Sequence, residues 1–222
     1  MKVRDNLFAY IWTDMRANNC NTFLIRKEKA VCLIDPGHKP FLPQLFQSMR
    51  KDGVSPDEVS SVIVTHGHPD HLEGALDLRK KGALVGIHPQ EEAFLKEIGP
   101  HFARMFGWSM PELSFDFHLQ EGELEIGGER FLVLETPGHS PGSISLFWEE
   151  PRVLFAGDVV FAQGVGRTDF PGGDGGLLKE SIRRCRKLQP AMLMPGHGEP
   201  LKTPKEVDRN FELIEKMYFS YL

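Results

Sequence analysis

Residues 65–71, THGHPDH, put three histidines and one aspartate into seven residues of a chain with nine histidines in all. The apolar run VSSVIVT leads straight into them and predicts a buried strand, so this polar cluster sits where a strand ends. His66 and His68 are two apart, and on extended chain residues i and i+2 point to one side. Pro69 keeps His68 extended and suits the first position of a helix. Asp70 and His71 then fall in the first helical turn, where they point in different directions and can serve a second point nearby.

Three later segments repeat one pattern of strand end, glycine turn and single potential ligand. They are TPGHSPG with His139, FAGDVV with Asp158 and LMPGHGEP with His197. Taken singly, each residue reads as an ordinary surface, turn or hydrogen-bonded core residue. The shared context of all four segments argues against that reading. Together they supply five histidines and two carboxylates, and imidazole plus carboxylate without thiolate suits Zn²⁺, Fe²⁺ or Mn²⁺. Seven ligands are too many for one tetrahedral site and suit two metals sharing one bridging carboxylate. His38, His88, His101 and His118 lack this context and read as structural or surface residues.

The rest of the sequence narrows the class. At 222 residues the chain can bury one good core, or at most two small ones. A net charge of −5 argues against nucleic-acid and anionic-membrane partners. No apolar run approaches the roughly 18 residues of a membrane span. Arg4, Asp5 and Asp14 stand where an export signal would be apolar, which predicts a cytoplasmic protein. Cys20, Cys32 and Cys185 are odd in number and form no C-x-x-C pair, against a disulfide framework or a thiolate zinc site. Cys32, inside AVCLID, reads as core. Arg183, Arg184, Arg186 and Lys187 read as a solvated helix face.

Periodicity places the elements. NTFLIR and AVCLID read as strands. Leu42, Leu45, Phe46 and Met49 predict a helix to about Lys51, stopped by Gly53. A helix over about 70–80, a strand ALVGI and a helix around QEEAFLKEIG follow. Residues 100–118 have no clear period; within them, 101–110, with Phe102, Met105, Phe106 and Trp108, read either as a lid over a substrate or as ordinary packing. Strands ELEIGG, RFLVLETPG, SISLFWE and RVLFAGD, a helix LLKESIRRCRKL and a strand AMLMPGHG come next. Thr203, Pro204 and Glu206 form a capping box for a last helix. Strands with helices, repeated in two halves, suggest two packed sheets with helices outside, an α/β sandwich.

In this order, THGHPDH, TPGHS, AGD and PGHG resemble the metallo-β-lactamase fold superfamily, and the likeness runs from NTFLI and LIDPG to the final PGHG. It implies a single αββα four-layer sandwich over residues 1–222, with the metal site at one edge of the two sheets. It also implies ligand roles: His66, His68 and His139 for one metal, Asp70, His71 and His197 for the other, and Asp158 as the bridge. Asp35 matches the aspartate that supports such ligands by hydrogen bonding. The stretch GDVVFAQGVGRTDFPGGD looks like the loop of glyoxalase II-like hydrolases and of the related persulfide dioxygenases. There are two departures from the pattern. Glu73 replaces a glycine of D-H-x-G-G, and the chain ends one helix after His197, where glyoxalase II enzymes carry a separate helical glutathione-binding domain. The short, single-domain members are the closer match. Lactone hydrolases usually carry a tyrosine after the bridging aspartate, and the only tyrosines here are Tyr10, Tyr218 and Tyr221. True β-lactamases are disfavoured by the missing export signal.

The expected function is that of a metal-dependent hydrolase with two divalent ions, zinc before iron or manganese. A metal-bound hydroxide would attack a thioester of the S-lactoylglutathione type or a related small ester. Asp70 and Asp158 are the candidate catalytic carboxylates that orient the hydroxide. Arg167 is the candidate for holding a substrate carboxylate; its alternative is a structural pair with Asp169. The rival reading is a mononuclear Fe(II) persulfide dioxygenase using His66, His139 and Asp158 or a similar set. Ser143 favours the hydrolases, since the dioxygenases often have cysteine there. A non-catalytic metal-stabilised binding module would be expected to lose a ligand, and none is missing. The partner expected is a small molecule, with no nucleic acid or membrane; a homo-oligomer is left open.

Overall fold

The computed structural model of the chain describes residues 2–14, 16–27, 30–106 and 112–222. Alternation along the first strands explains the layering. In β3 (Thr22–Lys27) and β4 (Ala30–Ile34), Phe23, Ile25, Cys32 and Ile34 face one way, and Leu24, Val31 and Leu33 face the other. Both faces are apolar, so both are covered.

These strands belong to a seven-stranded sheet that also holds β1 (Lys2–Arg4), β2 (Leu7–Tyr10), β5 (Ser61–Ile63), β6 (Leu84–Ile87) and β7 (Phe117–His118), in chain order. The second sheet begins with β8 (Gly122–Ile126), β9 (Glu129–Glu135), β10 (Ile144–Trp148) and β11 (Val153–Gly157). A short ribbon of β12 (Val160–Phe161) and β13 (Gly164–Val165) follows. Then β14 (Met192–Pro195) pairs with β11 to give the order β14-β11-β10-β9-β8. Between the sheets, Phe23, Ile25, Cys32, Ile34 and Ile63 meet Phe131, Val133, Leu146, Trp148 and Phe155.

The outer faces are covered by helices. On the first sheet, α1 (Leu42–Lys51) and α2 (Pro69–Arg79) pack Leu45, Phe46, Met49, Leu72 and Leu76 against Leu24, Leu33, Val62 and Val85. The third helix, α3, spans Pro89–Phe106. On the second sheet, α4 (Gly175–Lys187) and α5 (Pro204–Tyr218) pack Leu178, Ile182, Val207, Phe211 and Ile214 against Leu134, Phe147, Leu154 and Leu193. The four layers are αββα, as the sequence led us to expect.

Most elements stand where the pattern put them. Gly53, at φ +74°, follows α1, and α5 carries its capping box between Thr203 and Glu206. The strand before the histidine cluster is shorter than the apolar run, because only Ser61–Ile63 pair on both sides. Helix α3 runs past QEEAFLKEIG and through Pro100 to Phe106. The side chains of Phe102, Met105 and Phe106, and Trp108 as a whole, which a lid would use, lie outside what the structure describes. The three cysteines are free and buried. Arg184 and Arg186 are tied to Glu121 and Glu215, so part of the basic run is neutralised locally.

Strand direction builds the functional edge. Strands β4 and β5 are parallel, and so are β11 and β14. Strand β9 is antiparallel to β10, which is antiparallel to β11, so β9 and β11 also run the same way. The loops bearing Asp35, His66–His71, His139, Asp158 and His197 therefore leave C-terminal strand ends. Across this edge Ile144 N donates to Thr65 O at 2.9 Å, which locks one sheet to the other.

The core between the sheets should dominate stability. Phe155, 1% exposed and edge-on to Phe23 at 5.4 Å, should cost about 3–5 kcal/mol when replaced by alanine. Tyr221→Ala, at a position 88% exposed, should stay within about 0.5 kcal/mol. Denaturant midpoints of the two variants check this.

Candidate metal centre

The centre is assembled from five loops, and its support starts at Asp35. This residue takes a left-handed conformation, φ +52°, that ends β4 and turns its carboxylate toward β5. Thr65 donates to it twice, through N at 2.8 Å and Oγ1 at 2.7 Å. His71 Nδ1 lies 2.9 Å from Asp35 Oδ2 and donates to it, so Nε2 is the nitrogen that faces the cleft. The Thr65 hydroxyl, having donated to Asp35, accepts from His66 Nδ1 at 3.1 Å. His139 Nδ1 lies 2.8 Å from the Arg167 carbonyl oxygen and donates to it. Each of these three rings is thus held by its Nδ1 so that Nε2 faces the cleft.

The cleft-facing nitrogens converge in two groups. His66 Nε2, His68 Nδ1 and His139 Nε2 are separated by 3.1, 2.9 and 3.2 Å. With two of the three protons committed elsewhere, they cannot satisfy one another by hydrogen bonding. Ligands about 2.0–2.1 Å from a tetrahedral ion lie about 3.3 Å apart, close to this triangle. In the second group His71 Nε2 lies 3.4 Å from His197 Nε2, and Asp70 Oδ2 lies 3.9 and 3.4 Å from these two nitrogens. Asp158 reaches both groups: Oδ1 is 3.4 Å from His71 Nε2, and Oδ2 is 3.3 Å from His197 Nε2 and 3.6 Å from His139 Nε2. Its Oδ1 is buried and has no hydrogen-bond partner among the described residues. A buried carboxylate oxygen without a hydrogen-bond partner is costly without a cation, and imidazole with carboxylate suits divalent metals, so the donor set fits them. Space is tight: a Cβ on Gly196 would collide with Asp158 Oδ1 and the His71 ring, so only glycine lets the β14 loop pass.

Electrostatics divides the two groups. Burial, reinforced by the neighbouring histidines, pushes His66 well below the usual imidazole value. Burial and His139 bring His68 down to about 4. Burial works against charge on His71, but Cys20, Asp158, Asp35 and Asp70 outweigh it and hold His71 well above the usual value. His197 is likewise raised to about 9, because its contacts with Asp158 and Asp70 overcome burial. Burial alone would raise both carboxyls; His71 and His197 instead lower Asp70 and bring Asp158 down to about 2.

All seven residues that the sequence pointed to therefore meet at one edge, with Asp35 behind them. Arg167 is different. Its guanidinium forks the Asp169 carboxylate with two 2.7 Å bonds and stacks on Phe170, 3.6 Å from the ring centre. Its contact with the centre is through its main chain, at His139. Phe170 stands edge-on to His68 at 6.0 Å. The other histidines lie elsewhere: His38 meets Glu73 at 2.9 Å, His88 meets Glu135 at 3.1 Å, His118 meets Glu92 at 2.7 Å, and His101 is exposed. Glu73, the departure from D-H-x-G-G, thus ties the loop after β4.

Two supports were not read from the sequence. Glu91, buried in the first turn of α3, accepts from Gly67 N, Ser140 Oγ and Gly142 N. Asn21 donates from Nδ2 to the Pro195 and Gly198 carbonyls and from N to Gly196, and so holds the His197 loop. An acidic residue in a first helical turn is already explained by the helix dipole, so Glu91 gave no separate signal.

The family model of the metallo-beta-lactamase superfamily matches residues 15–197, and the chain belongs to that superfamily. Among its relatives, the hydroxyacylglutathione hydrolase GloC of Haemophilus influenzae is 36% identical over 182 residues, covering 77% of this chain and 81% of that protein. The solved structure of TTHA1623 in a di-iron-bound form matches with a TM-score of 0.74 and 30% identity, covering 91% of this chain and 98% of that one. The B3 metallo-beta-lactamase BLEG-1 matches with a TM-score of 0.75 and 30% identity, covering 93% and 99%.

The protonation pattern predicts unequal pH dependence of metal uptake by the metal-free chain. Below their raised values, His71 and His197 must each lose a proton to bind, so affinity at their group falls by up to about tenfold per proton per pH unit as pH drops. His66 and His68, already neutral at pH 6–8, add no such cost. Zinc titration calorimetry in buffers of different ionisation heat should find one strongly proton-coupled and one weakly coupled metal. Equal coupling for both would contradict the pattern.

Proposed function

We propose that the chain, as a single metallo-β-lactamase-like domain over residues 1–222, is a hydrolase with a dinuclear metal centre. It acts on a thioester of the S-lactoylglutathione type or a related small ester. The observation that carries this reading is Asp158, whose two oxygens lie 3.3–3.6 Å from nitrogens of both ligand groups. His66, His68 and His139 hold one divalent ion, and Asp70, His71 and His197 hold the other, with Asp158 shared. Zinc is the first candidate; the di-iron form of TTHA1623 keeps iron in view, and manganese suits the same donors. The similarity to a hydroxyacylglutathione hydrolase supports the substrate class.

Bound metal supplies Lewis acidity and activates water near neutral pH. The protein's own contribution is placement. Asp70 and Asp158 accept a hydrogen bond from the attacking water and so aim it. A thioester suits the site because a thiolate leaves without a strong general acid. Among the described residues no helix is long and apolar enough to cross a membrane. Three free, buried cysteines suit a reducing compartment, and on that ground we place the activity in the cytoplasm.

The rival is a mononuclear Fe(II) persulfide dioxygenase. His66, His139 and Asp158 support it, with separations of 3.2 and 3.6 Å along this two-histidine, one-carboxylate set. Elemental analysis of anaerobically purified protein decides. Two metals per chain and thioesterase activity are expected; one iron per chain without that activity would overturn the hydrolase. His68→Ala should remove one metal and abolish hydrolysis, and His101→Ala should change neither.

Arg167 tests substrate class. To hold a substrate carboxylate it must exchange Asp169 for that group. Arg167→Lys should then cut kcat/KM about tenfold to a hundredfold for a thioester bearing a carboxylate, because lysine cannot reproduce the bidentate fork. The loss should shrink for a thioester without one. An unchanged ratio between the two substrates would leave only the pair with Asp169.

A further inference from the structure

Glu91 is 1% exposed and belongs to neither ligand group. Its Oε1 accepts from Gly67 N at 2.7 Å; its Oε2 accepts from Gly142 N and Ser140 Oγ, each at 2.8 Å. Gly67 lies between His66 and His68, and Ser140 follows His139. Each oxygen of one rigid carboxylate thus serves one loop, and the two loops belong to different sheets. The fit is close on both sides. A Cβ on Gly142 would collide with the backbone of Glu91, and Leu95, one turn further along α3, packs against Gly67. Burying a carboxylate is costly, and three donors offset that cost. An amide of the same shape would bring two hydrogens to face main-chain N–H groups.

We propose that Glu91 is a positioning residue for the first metal group, setting the gap between the His66/His68 loop and the His139 loop and so the size of the three-nitrogen face. The proposal rests on the metal reading above. It makes a statement about reach. Aspartate would keep the charge but fall one methylene short of spanning both loops, so Glu91→Asp should fail much as Glu91→Gln does.

The test separates the two groups and uses the whole chain. Zinc affinity is measured by chelator competition in a His197→Ala background, which leaves the first group, and in a His68→Ala background, which leaves the second. Glu91→Gln and Glu91→Asp should each weaken zinc binding about tenfold to a hundredfold in the first background, the range found for residues that support metal ligands. In the second background the change should stay under about threefold. In the metal-free chain, deuterium exchange at the Gly67 and Gly142 amides should speed up together in both variants. Glu92→Gln, whose carboxylate pairs with Lys96 and His118 instead, should alter neither readout. Rescue by aspartate, unchanged affinity in the first background, or equal losses in both that follow a lower Tm would each overturn the proposal. If Glu91→Gln does not fold, Ser140→Ala removes one donor: a smaller loss confined to the first background supports the proposal, and no loss, or an equal loss in both, overturns it. Absence of zinc binding by the wild type would overturn the metal reading and this inference together. Zinc binding indifferent to Glu91 would overturn only the inference.

Discussion

Five histidines and two carboxylates, packed around one edge of two sheets, carry a desolvation cost that the rest of the molecule has to meet. His66 and His71 are fully buried, and Asp70, His139 and Asp158 are nearly so. No arrangement of hydrogen bonds among them satisfies all their lone pairs. A divalent cation changes the sign of that problem, because converging lone pairs that repel one another become ligands. Metal binding and folding at such an edge are therefore linked, and bound metal stabilises the folded chain by mass action. The apolar layers beneath supply the rigidity. With Phe155, Phe131 and Ile34 closing the space between sheets, the strand ends cannot drift apart to relieve the crowding.

The candidate ligands are held from behind by three buried polar side chains, each working across a sequence gap. Asp35 fixes His71 directly and His66 through the Thr65 hydroxyl. Glu91 joins the loops that carry His66, His68 and His139. Asn21 grips the loop that carries His197. Each spends its hydrogen-bonding capacity on main chain, on a hydroxyl beside a ligand loop or on the remote nitrogen of a ring. The nitrogen that faces the cleft is thereby left clear of these supports, and the loop that carries it is left with no freedom to turn it away. This division of labour also explains the glycines. Where support and ligand loop approach as closely as Glu91 approaches Gly142, there is no room for a side chain.

What was legible in the sequence was whatever is local. The candidate ligands stand out because each group sits at the end of an apolar run, beside a glycine or proline. Helices α1, α4 and α5 announce themselves through period and caps. The pairs β1–β2 and β12–β13, and the strand β7, are two to four residues long, too short for a period of two to register. The extension of α3 through Pro100 ran against the strongest local breaker. The supports were illegible for a different reason. Asn21 bonds to Pro195 across 174 positions and Glu91 to Ser140 across 49, and nothing near either residue distinguishes it from a strand-edge amide or a first-turn acid. Asp35 was reached by resemblance alone, since an aspartate before proline and glycine is otherwise a turn.

Arg167 illustrates how a residue can belong to a site in two ways. Its carbonyl oxygen fixes the His139 tautomer, so the backbone of the loop from Gly164 to Phe170 is part of the support whatever its side chains do. Its guanidinium points the other way, clamped between the Asp169 carboxylate and the Phe170 ring. Phe170 in turn stands beside His68. The guanidinium is thus next to the first ligand group without touching it, and half-exposed, so its pair with Asp169 is worth little in water. An anionic group arriving over His68 would meet a planar cation already oriented by stacking. Exchanging one exposed carboxylate for another costs little, and Phe170 keeps the guanidinium plane in place while the exchange happens. Under the proposed role of Arg167, Asp169 would be a placeholder that keeps the fork ordered until a substrate carboxylate displaces it.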